Sequence, residues 1–166
     1  VTRARLLDGV DLVARVALGG MLLVAGLLKV GDLTGSVQSV IAYELFPYEV
    51  SRLIGTALPV VEIALGVLLL LGLLTRPVAL VGGLLMLAFI AGVASAWARG
   101  LSIDCGCFGD GGPVAPEDTR YLEEIVRDVL LVLAAAWLVV RSSATPLSLD
   151  RLIARKGSTP SWPAPL

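Results

Sequence analysis

Histidine is missing from the 166-residue chain, and charge is scarce, with Asp, Glu, Lys and Arg together making up 16% of it. Without imidazole the chain lacks the one side chain that ordinarily titrates near neutral pH, and it also lacks the commonest metal ligand. Cysteine is reduced to two residues, Cys105 and Cys107. Two thiolates without imidazole do not complete a four-ligand zinc site within one chain, so no metal site is expected. A soluble domain carries about a quarter charged residues, so the shortage argues against that class. There is no repeat at solenoid periods and no phosphate-binding glycine motif, and no nucleic-acid partner is expected.

What fills the chain instead is apolar. Hydrophobic residues make up 57% of it, gathered in long runs rather than in alternation. Runs of this kind read as membrane-spanning helices. The expected fold is all-α: an integral membrane four-helix bundle with a short amphipathic interfacial helix between the first and second spans.

The spans are expected at about 10–30, 57–74, 77–97 and 121–140. The first is too long for a signal-peptide core and ends without a small-x-small cleavage site, so it reads as an uncleaved span. Asp11 and Arg15, at i,i+4, are expected to pair on one of its faces. Thr34 is the expected cap of the amphipathic helix, which runs through Val37, Val40, Ile41 and Leu45 until Pro47 stops it. The second span contains Pro59 and Glu62 and could extend back to Tyr48. Thr75-Arg76-Pro77 is expected to be the turn before the third span. The segment 142–166 is expected to be a basic, Pro/Ser-containing cytoplasmic tail.

Four spans put both ends of the chain on one side. Arg3, Arg5, Arg76, Arg141, Arg151, Arg155 and Lys156 fall there, and Lys29, Arg52, Arg99 and Arg120 fall on the other, a bias of seven to four. Cytoplasmic sides carry the excess of Lys and Arg, so the termini are expected in the cytoplasm of a plasma (inner) membrane. The loop 98–120 then faces the exterior, where disulfides persist.

That loop holds Asp104-Cys105-Gly106-Cys107-Phe108-Gly109-Asp110. A disulfide between cysteines one residue apart closes a small strained ring, which is readily reduced. As a staple it would remove almost no chain entropy. The pair is therefore the expected catalytic centre, exchanging electrons or disulfides. The same topology brings Lys29, Glu62 and Arg127 toward the loop's end of the bundle. Ionisable groups at membrane depth pair or line cavities, so an outer-leaflet pocket floored by Glu62, with Lys29 or Arg127 as counter-charge, is expected. Lys29 could equally be a snorkelling anchor. The Glu123, Arg127 and Asp128 charges could be local pairing at a helix start. Trp97, Tyr121 and Trp137 read as interface anchors or packing.

The Cys105-Gly106-Cys107-Phe108-Gly109 motif resembles the MauE branch of the DoxX-like membrane proteins. So do Tyr43-Glu44-Leu45-Phe46-Pro47, the Pro59/Glu62 span and Arg76, the similarity covering roughly residues 10–141. The resemblance implies a four-helix membrane protein associated with thiol redox chemistry. The MauE branch is linked to maturation of methylamine dehydrogenase with a thioredoxin-like partner, and DoxX relatives include a subunit of a thiosulfate:quinone oxidoreductase. The leading expectation is thus a membrane thiol–disulfide redox protein, an oxidoreductase or redox-maturation factor, working with an extracytoplasmic thioredoxin-like partner. No further cysteine in the spans could relay electrons onward, and quinone in the Glu62 pocket is the candidate cofactor. The alternative is a non-catalytic subunit anchoring or assembling a membrane or cell-envelope complex. Thiolate binding of Cu(I) is a third reading, short of ligands.

Overall fold

The computed structural model describes residues 2–106 and 111–141. Among them, the chain is mostly helical: α1 (Thr2–Val30), α2 (Leu33–Ala42), α3 (Tyr48–Leu71), α4 (Thr75–Ala98) and α5 (Tyr121–Arg141). Between α4 and α5 lies a minimal hairpin of β1 (Ile103–Asp104) and β2 (Gly112–Pro113), followed by one turn of 3-10 helix. Three helices, α1, α3 and α4, are long and apolar enough to cross a membrane. The α5 helix is as apolar in its second half, but Glu123, Glu124, Arg127 and Asp128 crowd its first two turns. The expected tail at 142–166 lies outside the described residues.

The contacts set α1 antiparallel to α3 and to α5, and α4 antiparallel to α5, and the buried faces follow 3-4 spacing. On α1 the inward stripe is Asp11, Ala14, Arg15, Leu18, Leu22, Ala25 and Lys29. On α5 it is Tyr121, Glu124, Asp128, Leu131, Ala135 and Leu138. Large apolar residues point the other way: Val13, Leu53, Leu84 and Leu130 are all exposed. A helix in lipid has little to gain from hiding every leucine, so small and polar residues share the helix contacts with a few buried leucines such as Leu18, Leu22 and Leu138. The α1–α3 seam shows this: a Cβ on Gly66 would lie 2.6 Å from the Leu23 backbone nitrogen.

Pro59 sits inside α3, where its missing N–H leaves the carbonyl four residues back without its helical donor. That carbonyl belongs to Gly55, and the Ser36 hydroxyl of α2 donates to it at 2.7 Å. The proline therefore creates the acceptor on which the short helix docks. The cap of α2 is Asp32, whose carboxylate accepts from the Gly35 N–H at 2.9 Å, and not Thr34. Thr34 is already inside the first turn. The helix also stops at Ala42, short of Pro47, which instead precedes α3.

The expected 75–77 turn lies inside α4. Proline is tolerated in a first helical turn because the N–H there has no helical acceptor. The reversal occurs at 72–74, where Gly72 and Leu74 both adopt left-handed backbone, φ 68° and 49°. Asp11 is held from α5: Trp137 Nε1 donates to it at 2.6 Å and Arg141 Nε at 3.3 Å. Asp11 thus makes a contact between helices beyond its i,i+4 neighbour Arg15, and Trp137 ties down a buried carboxylate.

Candidate functional site

Two polar groupings lie toward the same end of the helices. The first is the seat of the hairpin. Tyr121, at the start of α5, is buried, and its hydroxyl takes the Ile103 N–H at 2.9 Å while donating to the Leu101 carbonyl. It pins β1 at its base. Trp97 lies 6.1 Å from the Tyr121 ring, and Val93, Ala96 and Ile103 complete a small core with it. Tyr43, the residue that caps the end of α2, packs on this core and donates to the Cys105 carbonyl at 3.4 Å. Arg99, at the end of α4, donates to the Tyr43 carbonyl.

Inside that frame, the Asp104 carboxylate accepts the Gly106 N–H at 2.9 Å, closing a local turn. Gly106 has φ 68°, and a Cβ there would meet the Ser39 hydroxyl of α2 at 2.7 Å. Glycine between the two cysteines is thus required twice, for backbone conformation and for clearance. Cys105 is half-buried. Its thiol and its N–H both lie against the Glu124 carboxylate. Asp104, Cys105 and Glu124 have donor atoms within 4.8 Å of one another. Cys107 lies outside the described residues.

Removing the Tyr121 hydroxyl should loosen this seat. Tyr121→Phe strands the Ile103 amide and the Leu101 carbonyl, a loss of about 1–3 kcal/mol. Hydrogen exchange at the Ile103 amide should accelerate accordingly; unchanged protection would show that the hairpin is held elsewhere.

The second grouping lies deeper. Lys29 Nζ donates to both Glu62 oxygens, at 2.7 and 2.9 Å, with the two side chains 5% and 0% exposed. Phe89 of α4 lies 5.4 Å from the same ammonium, a cation–π contact. Arg127 turns to Asp128 at 2.9 Å instead of to Glu62. Of the two counter-charges considered for Glu62, Lys29 is the partner.

The expected pocket differs from the one observed. The space bordered by Glu62 and Asp128 is about 10 Å³, room for roughly one water molecule. Met21, Leu22, Ala25, Met86 and Phe89 fill the rest. Sites for cofactors run to about 300 Å³ and more, and the space beside Glu62 is much smaller than that. A larger groove of about 290 Å³ at Trp97, Thr119, Arg120 and Glu123 is open and has neither Glu62 nor Lys29 in its wall.

Of the five candidate site residues, the structure thus joins Lys29 to Glu62, gives Arg127 to Asp128, and sets Cys105 against Glu124. The residues that sequence reasoning underweighted are Glu124, Tyr121 and Tyr43. The signal for the first two was present in the 3-4 spacing that continues Tyr121 and Glu124 into Asp128, Leu131, Ala135 and Leu138.

The family model described as methylamine utilisation protein MauE matches residues 7–141. The methylamine utilization protein MauE of Paracoccus denitrificans is 32% identical over 136 residues, covering 81% of this chain and 72% of that protein. No solved structure matches.

Proposed function

The chain belongs to the MauE family of methylamine utilisation proteins, and from that premise we propose a membrane accessory protein that exchanges disulfides through Cys105 and Cys107. In this reading α5 is a fourth span, its polar turns facing inward, and α2 lies at the bilayer surface. The hairpin faces outward from the bacterial plasma membrane, and both termini are cytoplasmic. The seven-to-four distribution of basic residues supports that orientation. Membership also suggests a place in methylamine utilisation, as a factor that matures another protein.

The observation that carries the reading is the seat of Cys105. A cysteine with only a packing role has no need of a hairpin fixed by Tyr121 at its base and by α2 along its side. In the proposed reaction a thiolate of a thioredoxin-like partner attacks the Cys105–Cys107 disulfide. The S–S bond breaks, one loop sulfur stays in a mixed disulfide, and the other leaves with the electron pair and takes a proton. A second partner thiolate then attacks the mixed disulfide. The partner ends oxidised by two electrons, and the loop ends as a dithiol. Running the same steps backward oxidises the loop.

Thiol trapping in intact cells with a membrane-impermeant maleimide tests this. Labelling that needs prior mild reduction is the expected result, since it requires an exterior, oxidised pair. Labelling without reduction would indicate an exposed dithiol acting as reductant. No labelling under either condition would sink the outward-facing redox reading and favour a non-catalytic assembly subunit.

A further inference from the structure

Thiol–disulfide exchange moves a proton with each sulfur, and a half-buried sulfur needs a local group to supply or remove it. Glu124 is nine-tenths buried, on the inward stripe of α5, and lies against the Cys105 thiol. One carboxylate oxygen, Oε2, is buried with no hydrogen-bond partner among the described residues. A buried carboxylate oxygen without a donor is costly. A proton resolves that cost. The charged and titratable groups around Glu124 are Asp104 and Cys105 from the hairpin, and Arg127 on its own helix. Asp128 follows one turn on, within reach of Lys29 of α1, and Tyr43 at the end of α2 lies across Cys105. A thiolate on Cys105 would therefore face the charges of both Asp104 and Glu124, the latter buried. One Arg127 does not neutralise three anions. Two acidic groups in contact, such as the Cys105 sulfur and the Glu124 carboxyl, couple the charge of one to the charge of the other.

We infer that Glu124 is the catalytic acid and base that exchanges a proton with the Cys105 sulfur, an assignment resting on the disulfide-exchange reading above. When a partner thiolate attacks Cys107 Sγ, the S–S bond breaks and its electron pair goes to Cys105 Sγ. The Glu124 carboxyl passes its proton to that sulfur and becomes a carboxylate accepting the new S–H. When the loop is oxidised, the Cys105 thiol returns its proton to Glu124 as the sulfur attacks the mixed disulfide on Cys107. Two electrons then leave with the partner's reduced thiols. Cys105 is thereby the leaving and resolving sulfur, and Cys107 the one the partner attacks.

The test compares the full chain with Glu124→Gln, Glu124→Asp and, as a surface control, Glu123→Gln, all in lipid nanodiscs. The rate of disulfide exchange with dithiothreitol is followed against pH. Glu124→Gln should slow exchange at neutral pH about 100-fold, the scale of one general acid–base group. It should also lose the alkaline limb that a required proton donor imposes on loop reduction, while Glu124→Asp recovers part of both and Glu123→Gln matches the unaltered protein. Glu124→Gln with an unaltered profile would overturn the inference. If the unaltered protein does not cycle with dithiothreitol, the exchange reading fails, and the inference is then decided on Cys107→Ser protein. There, alkylation of Cys105 should follow a two-step pH profile that Glu124→Gln reduces to one step; identical profiles overturn the inference. Infrared difference spectra guard against misfolding. A protonated-carboxyl band that responds to the state of Cys105 should be absent from Glu124→Gln, and its persistence there also overturns the assignment.

Discussion

Replacing Lys29 with methionine lowers the stability of the protein by about 3–5 kcal/mol, the usual cost of removing one member of a buried ion pair. The ammonium donates to both oxygens of Glu62, and Glu62 has no exposure at all. Without Lys29, that carboxylate is left among Met86, Phe89 and Leu22, beside the Asp128 carboxylate. Reversible unfolding in mixed micelles measures the loss. The second arm is the double replacement Lys29→Met with Glu62→Leu, which removes both charges and leaves apolar volume in their place. Pairs replaced in this way are often neutral or better, so the double variant should recover most of the stability. A double variant as weak as the single one would show that the residues act by shape and not as a charge pair.

Gly66→Val separates α1 from α3. Its first added carbon meets backbone atoms, the Leu23 nitrogen at 2.6 Å and the Gly19 oxygen at 2.8 Å. Backbone cannot swing aside as a side-chain tip can, so the helices must part. Overpacking a tight interior costs about 1–3 kcal/mol, and valine at a backbone contact belongs at the upper end. Gly20, by contrast, faces nothing within 4 Å. Gly20→Ala should stabilise by about 0.4–1 kcal/mol through the lower freedom of its unfolded chain. Equal effects of the two changes in melting experiments would refute the seam.

The helices were readable because apolar runs long enough to cross a bilayer leave few other interpretations. Their ends were less readable. Pro77 looks like a turn and is a first-turn residue of α4, because proline at a helix start lacks only an N–H that would be idle. Thr34 and Asp32 are both competent caps, and local sequence does not choose between them. The Lys29–Glu62 pair could be anticipated from two ionisable groups at one depth. Its closure around a water-sized space could not, since it depends on Met86 and Phe89 arriving from α4. Glu124 was hidden by its company. Among Glu123, Arg127 and Asp128 it reads as one charge in a surface cluster, and only the inward phase of the stripe distinguishes it from exposed Glu123. Tyr121 and Trp137 resemble interface aromatics by position, yet each spends its polar atom on a specific partner, Leu101 and Ile103 for one and Asp11 for the other.

The hairpin is clasped by residues from both ends of the chain, with Ser39 and Tyr43 preceding it and Tyr121 and Glu124 following it. Synthesis runs in one direction, so Cys105 emerges from the ribosome before Tyr121 and Glu124 do. The first oxidant or enzyme to meet the nascent cysteines meets a peptide without the Tyr121 clamp and without the Glu124 carboxylate beside the thiol. Until α5 packs against the hairpin, Cys105 sits in the surroundings of an ordinary cysteine, and these change only when Tyr121 and Glu124 arrive beside it.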